Sequence, residues 1–600
     1  MLGRIVVESC RPRTPSGGFP AKAVVGQSVN VSADVFRDGH DVLAAQVKWR
    51  FDADSEWCTV PMAMVGNDRW EATFVPAEAG SHHFVVEAWT DRAATLRRDI
   101  DALVTAGQDA SVEYSELAAL SDQPADVTAG PTMALWVDRL RALAGAWYEF
   151  FPRSEGGLVG SLSRLEAVAA MGFDVVYLPP IHPIGLTARK GPHNSLSTGP
   201  DDPGSPWAIG NAFGGHMAVE PSLGTIDDFD ALVTAAEALG LEIALDYALQ
   251  CSPDHPWVAD HPEWFHRRTD GSIRFAENPP KRYEDIFPIN FWPATQADRE
   301  QLWEACAEIL RFWIAHGIKI FRVDNPHTKP MAFWAWLIPL IHAENPEVVF
   351  LAEAFTRPKV MAKLAEVGFS QSYTYFTWRT SAAGLRSYVE EVTSTEKADF
   401  MRPNFWPNTP DILAEPLRNG PQSAFALRVV LAAMLVASYG IYSGYELGEN
   451  QPQSETNEEY FDSEKFVVRR RDWSLYRDFP EDYPSIIGLI TRLNAIRRAH
   501  PACAELSNVT FHHCGNDAVL AWSKRSFDGS DAVLVVVNLD PFSAQSDLLS
   551  LDLAALGLPW DRPFQAIDEL SGSTFTWQGS TPYIRLDPAV SPAHIFSFDA

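Results

Sequence analysis

Phe321-Arg322-Val323-Asp324-Asn325 and, further on, Phe350-Leu351-Ala352-Glu353 decide the fold of this chain. Each is an apolar run bounded by turn signals, the pattern of a strand buried on both faces of a parallel sheet, and each ends in a carboxylate. In a (β/α)₈ barrel the C-terminal strand ends carry the active site. An Asp and a Glu on successive strand ends, with Arg322 beside the Asp, supply what retaining glycosyl transfer requires: a nucleophile and a separate proton donor. The competing reading of either strand alone is a structural salt bridge at a barrel rim.

Outward from these strands, the pattern from residue 147 repeats as strand, loop, helix. Strands are predicted at 147–151, 175–178, 243–248, 318–324, 348–353, 372–376, near 404–408 and at 441–445. Eight such strands with intervening helices predict an α/β fold, a closed (β/α)₈ (TIM) barrel over residues 147–500. A long stretch at about 251–290, rich in Pro, Asp and aromatic residues, reads as a functional loop or small subdomain. Residues 1–105 offer short alternating segments such as Gln46-Val47-Lys48-Trp49-Arg50-Phe51, the signature of an N-terminal β-sandwich. Over 106–146 the period changes: Met133, Leu135, Trp136, Leu140, Leu143 and Ala144 fall at helical spacing and predict a helical appendage or linker. Alternation returns at 501–600, as in Ala532-Val533-Leu534-Val535-Val536-Val537-Asn538, and predicts a C-terminal β-sandwich.

Composition narrows the function. Six hundred residues exceed one hydrophobic core and imply about two to four domains. The net charge of −30, from 48 Lys and Arg against 78 Asp and Glu, repels phosphate backbones and anionic membranes, so neither nucleic acid nor membrane is expected as a partner. Cys10, Cys58, Cys251, Cys306, Cys503 and Cys514 form no CxxC pair, which indicates neither a zinc site nor a disulfide framework. The apolar run at the N-terminus is too brief for a signal peptide, and a reducing cytoplasm is the expected location.

In the chemical reading, Asp324 attacks the anomeric carbon to form a glycosyl ester, while Glu353 protonates the leaving group and then deprotonates the acceptor. Arg322, two residues before Asp324 on the same strand face, holds the nucleophile ionised. Asp411 follows Asn408-Thr409-Pro410. Placed after a seventh strand, it is a candidate for binding sugar hydroxyls and stabilising the transition state; by itself such a string is more often a turn or cap.

These segments resemble the second, third and fourth conserved regions of the α-amylase superfamily, glycoside hydrolase family 13. The resemblance is closer to one branch, the α-1,4-glucan:maltose-1-phosphate maltosyltransferases. It is carried by WYEFFPRS (147–154), RKG (189–191), GSPWAIG (204–210), ALQCSPDHPW (248–257), AENPPK (276–281), DNPHTKP (324–330) and QSYTYFTWR (371–379), and it covers nearly all of 145–500. The resemblance implies a donor, α-maltose 1-phosphate, an α-1,4-glucan acceptor, a homodimer, and no metal or organic cofactor, since the donor's phosphate is already an activated leaving group. By motif it assigns the phosphate to Asn278, Lys281 and Tyr283, with Arg322 and Asn325 completing the donor subsite and Lys190 and Gln250 as further substrate-binding residues. An amide, an ammonium and a phenol can together hold a phosphate. Without the resemblance, Lys281 reads as a solvated lysine in a Pro-rich turn.

Where an ordinary amylase carries Asn-His after the first-region Asp, Asp246 is followed by Gln250 and Cys251; where the third acid has a preceding His, Pro410 stands. Relative to the maltosyltransferases, His193 replaces an expected Asn and Met217 an expected Asp, and the helical insertion is short. Two alternatives remain. One is an α-glucan hydrolase or glucan-to-glucan transferase of the same superfamily, with no role for Lys281. The other is a silent glucan-binding protein, against which the joint presence of Arg322, Asp324, Glu353 and Asp411 speaks.

Overall fold

The computed structural model describes residues 3–121, 124, 126–279, 281–473 and 485–599. The chain divides into two compact units, Met1–Leu140 and Arg141–Ala600.

The first unit holds two sheets. One orders Ile5–Arg11, Val29–Arg37, Arg69–Phe74 and Ala63–Gly66; the other orders Ala21–Val24, Met133–Asp138, Gly80–Thr90, Leu43–Phe51 and Cys58–Pro61, with Thr128–Ala129 also on Gly80–Thr90. Alternate residues such as Val31, Ala33 and Val35, and Phe84, Val86 and Ala88, are buried and form the core between the sheets. The helix expected over 133–144 is not there. Met133–Asp138 is a strand, antiparallel to Gly80–Thr90 and parallel to Ala21–Val24. Its Leu135 and Val137 are buried at period two while Leu140 is exposed, so the short apolar run follows the sheet, where it lies between Ala21–Val24 and Gly80–Thr90. The helices lie upstream, at Arg92–Thr105, capped by the Asp91 side chain, and at Ser111–Ala118.

In the second unit, eight parallel strands follow chain order around a barrel: Gly145–Glu149, Val175–Leu178, Glu242–Tyr247, Ile320–Asp324, Val349–Glu353, Gln371–Ser372, Asn404–Phe405 and Ser438–Tyr442. The seventh strand pairs with the eighth and the eighth with the first. Closure between sixth and seventh is a single parallel bridge, Ser372 to Pro403, with the Ser372 N–H donating to the Arg402 carbonyl at 3.0 Å. Each strand is followed by a helix: Gly157–Ala170, Ile226–Ala238, Gln296–Ala315, Met331–Glu344, Pro358–Glu366, Ala382–Thr393, Gln422–Leu435 and Ile486–Ala499. The sixth strand is shorter than expected because the Thr374 hydroxyl caps a 3₁₀ turn, Tyr375–Trp378, and the eighth begins three residues earlier than expected.

Trp147, Val175, Tyr177, Ala244, Ile320, Val349, Leu351, Tyr373 and Trp406 fill the barrel interior. Trp406 stacks on Tyr373 with ring centroids 5.0 Å apart, and it fits because the eighth strand offers Gly440: a Cβ there would lie 2.3 Å from the indole.

Between the third strand and its helix, the excursion at about 251–290 carries its own short elements. Gln250–Cys251 pairs with Phe287–Pro288, and Ala276–Asn278 forms a hairpin with Lys281–Tyr283. The C-terminal part has a six-stranded antiparallel sheet, Val509–His512, Val519–Arg525, Ala532–Asn538, Ala593–Asp599, Phe564–Asp568 and Thr574–Trp577 in that order, facing a pair of strands, Gln545–Leu548 and Tyr583–Leu586, over a Val, Leu and Ile core. Among the described residues, no helix is long and apolar enough to cross a membrane.

Candidate active site

Strand alternation builds the site. Ile320 is part of the barrel interior, so Arg322 and Asp324, two and four residues on, share its inward face; Val349 and Leu351 place Glu353 in the same way, and Ala244 places Asp246. The parallel register sets Arg322 beside Asp246 and Asp324 beside Glu353. Three carboxyls thus surround one guanidinium.

Arg322 Nη1 donates to Asp246 Oδ2 and to Asp324 Oδ1, each at 2.9 Å, and Nη2 lies 3.5 Å from Glu353 Oε2. Asp246 Oδ2 also accepts from the Tyr177 hydroxyl at 2.6 Å and the Trp207 indole at 3.0 Å. Burial pushes Asp246 up to about 6 against the pull of Arg322. The same cause, opposed by Arg322 and reinforced by Asp324, pushes Glu353 up to about 8. At neutral pH Glu353 therefore carries its proton and is poised as an acid.

The residue after the nucleophile closes the turn. Asn325 sits in the left-handed region (φ 42°), which Asn tolerates better than most residues. That turn aims its N–H at Glu353 Oε2, 3.1 Å away, and returns its amide to Asp324 Oδ2 at 3.2 Å. The buried Lys329 ammonium donates to the carbonyls of Asp324 and Asn325 at 3.1 and 3.3 Å and pins the loop.

Asp324, Asn325, Asp411, Asn278, Tyr283 and Gln250 line one cleft of about 610 Å³ over the barrel mouth. Asp411 bonds the Lys465 ammonium. Burial would raise the Asp411 carboxyl, but Lys465, helped by the charges of Arg322 and Lys281, holds the group below the usual range. The Gln250 amide donates to the Trp207 carbonyl at 3.3 Å. The Lys281 ammonium reaches Glu459 Oε1 at 2.9 Å, which lies 3.7 Å from Lys465. Lys190 is placed differently: it is buried beneath the hairpin, donating to Glu284 at 2.6 Å, outside the cleft wall. His193 packs against Phe461, and neither it nor Met217 lines the cleft.

Lys465, Glu459, Lys329, Tyr177 and Trp207 escaped the sequence reading. Lys465 and Glu459 lie in an irregular stretch after the eighth strand with no local signal; Tyr177 was readable as the inward residue near the end of a strand.

His216, Cys251 and His255 come close enough together to hold a metal. Their hydrogen bonds oppose it. His255 Nδ1 accepts the Trp257 N–H, so its Nε2 carries the proton and donates to His216 Nδ1 at 3.1 Å; His216 Nε2–H in turn donates to the Ala248 carbonyl. Both facing nitrogens are engaged by one proton.

The fold matches that of an α-amylase from Geobacillus thermoleovorans solved with acarbose (TM-score 0.58, 16% identity, 76% of this chain and 98% of that one). Family models match over residues 3–158 (α-1,4-glucan:maltose-1-phosphate maltosyltransferase, domain N/S), 138–330 (α-amylase, catalytic domain) and 511–598 (GLGE, C-terminal). Two Streptomyces coelicolor proteins, α-1,4-glucan:maltose-1-phosphate maltosyltransferases 2 and 1, are 49% and 48% identical, each over 99% of this chain and 96% and 95% of their own lengths. Identity of that degree, running through the barrel and both flanking regions, is what a shared ancestor leaves, and the chain belongs to the α-1,4-glucan:maltose-1-phosphate maltosyltransferase family.

Proposed function

We propose that this enzyme carries out its family's reaction, moving maltosyl units from α-maltose 1-phosphate to the non-reducing end of an α-1,4-glucan and releasing phosphate. The observation that carries the reading is the pair Asp324 and Glu353 on one guanidinium, with Glu353 raised to about 8 and both Asp324 oxygens accepting N–H bonds. Asp324 attacks C1 as Glu353 protonates the bridging oxygen of the departing phosphate, leaving a maltosyl ester on Asp324. Glu353, now a carboxylate, takes the proton of the acceptor's 4-hydroxyl as that oxygen displaces Asp324. Asp411, kept ionised by Lys465, binds ring hydroxyls and favours the oxocarbenium-like geometry. Asn278 and Tyr283 from the cleft wall and Lys281 from beside it hold the phosphate, Asn325 and Gln250 border the donor sugar, and Lys190 supports the hairpin from beneath. No redox or metal chemistry enters these steps. A homodimer in a reducing cytoplasm completes the proposal, on the family resemblance.

The test incubates the protein with maltohexaose and inorganic phosphate and follows phosphorus NMR. An α-maltose 1-phosphate signal that vanishes in Asp324→Ala is the expected result. Shorter glucans formed equally without phosphate would make this a hydrolase or disproportionating enzyme and remove Asn278, Lys281 and Tyr283 from the donor site.

A further inference from the structure

One carboxylate oxygen joins the two sides of the cleft. Glu459 Oε1 accepts from Lys281 Nζ at 2.9 Å and lies 3.7 Å from Lys465 Nζ, which itself bonds Asp411. The result is a row of alternating charge, Lys281, Glu459, Lys465, Asp411, running from the hairpin of the 251–290 excursion to the seventh-strand loop. The ends of this row differ in freedom. Lys281 is 54% exposed on a two-stranded hairpin, whereas the Glu459 side chain is 18% exposed and its backbone is tied at both ends: its N–H donates to Asn457 Oδ1 at 3.1 Å and its carbonyl accepts from Gln453 at 2.7 Å. Lys281 is the member able to move, on a long unbranched stem.

Lys281 thus already has an anionic partner. A phosphate monoester carries close to two negative charges at neutral pH and competes with a single carboxylate for the same ammonium. On the donor-site reading above, on which this inference rests, we propose that Glu459 is a positioning residue that exchanges Lys281 with phosphate. It holds the ammonium beside the cleft while the donor site is empty, yields it to the donor's phosphate, and reclaims it once the maltosyl group has passed to Asp324, which favours phosphate release. Lys465 bonds Asp411 directly and more closely than it approaches Glu459, so the exchange acts mainly on phosphate affinity and leaves the Lys465–Asp411 contact in place.

The experiment measures inorganic phosphate binding by calorimetric titration at constant ionic strength. It uses the full chain as wild type, Glu459→Gln, Lys281→Ala and the double variant, with transfer from α-maltosyl fluoride as a control that uses no phosphate. Glu459→Gln is expected to bind phosphate about three- to tenfold more tightly and to lower the KM for α-maltose 1-phosphate, with turnover of the fluoride changed less than about twofold. Lys281→Ala is expected to bind phosphate more weakly, and in that background Glu459→Gln has no further effect. Should Lys281→Ala weaken phosphate while Glu459→Gln matches wild type or binds less, the exchange is wrong and the donor-site reading stands. Equal tightening in the presence and absence of Lys281 also overturns the exchange, because Glu459 then acts through its field alone. If Lys281→Ala binds phosphate as wild type does, the assignment of Lys281 falls and takes the inference with it. Should Glu459→Gln fail to turn over the fluoride, Glu459→Asp, which keeps the charge on a shorter stem, must show wild-type fluoride turnover and tighter phosphate, and unchanged binding there overturns the proposal.

Discussion

Asp324 and Glu353 stand directly beside each other in the parallel register of the fourth and fifth barrel strands, and Arg322 meets them unequally, at 2.9 Å and 3.5 Å. The closer contact goes to the carboxylate that must attack, the longer to the one that must keep a proton. Burial dominates at Glu353, where Arg322 only partly opposes it. A single guanidinium therefore helps to divide the two roles.

With Glu353 raised to about 8, kcat/KM for α-maltose 1-phosphate is expected to fall as pH rises past that value, because the acid is lost. Glu353→Gln should abolish this limb and lower kcat by about 10²–10⁴, with less loss on α-maltosyl fluoride, whose leaving group needs no proton. Stability moves the same way with pH, for a different reason. A carboxyl raised in the folded state binds more protons there than in the unfolded chain between about 4.5 and 8, so it lowers stability as pH rises through that window. Glu353→Gln should melt about 1–3 °C higher at pH 8, which thermal scans at pH 5 and 8 will show.

Arg322 compensates Asp246, Asp324 and Glu353 together. Arg322→Ala is expected to lose activity and about 3–5 kcal/mol of stability, measured by urea unfolding. Arg322→Lys, a point charge without the fork, should recover less than half of that loss; full recovery would show that charge alone suffices.

Lys465 keeps Asp411 below the usual carboxylate range against burial, which acts the other way. In Lys465→Met the main group opposing burial is gone and only the more distant Arg322 and Lys281 remain, so the Asp411 carboxylate is lost at a higher pH. The acid limb of kcat/KM should move upward, with a loss of about tenfold or more at pH 6. An unmoved limb would exclude Asp411 from the titrating step.

Gly440→Ala places a methyl 2.3 Å from the Trp406 ring inside the barrel. Overpacking there is expected to cost about 1–3 kcal/mol or more, read as a lower denaturant midpoint, and Gly440→Ala combined with Trp406→Phe should recover part of it.

His182 and His255 are buried and pushed down to about 4 and about 3 by desolvation. Their folded forms stay neutral while the unfolded chain protonates near 6.5, so the stability they contribute is present above pH 6.5 and lost as pH falls below it, by roughly 1.4 kcal/mol per pH unit for each. His182→Gln should show a shallower fall between pH 6.5 and 5 in chemical denaturation.

Much of the site was readable because strand ends in a barrel are local objects. Asp324 and Glu353 each close a mostly apolar strand of five residues, and the period of two that buries Ile320 and Val349 aims both acids into the mouth. Asn278 and Tyr283 became site residues only through resemblance, since a Pro-rich turn has no periodicity to interpret. The misread stretch, Met133–Asp138, fails for another reason. Six residues with Leu135 and Val137 satisfy a strand while Met133, Trp136 and Leu140 suit a helix, and the choice belonged to the edge of Gly80–Thr90, far away in sequence.

By itself the sequence determined the strand–helix alternation, the barrel and the two acids, because these follow from apolar periodicity and from carboxylates at strand ends. Only the tertiary structure decided that Lys465 supports Asp411, that Glu459 engages Lys281, and that Asp246 and Glu353 share Arg322. Those pairings join residues dozens to nearly two hundred positions apart, and charge pairing depends on distance in space, which a chain acquires only when its loops converge over the barrel mouth.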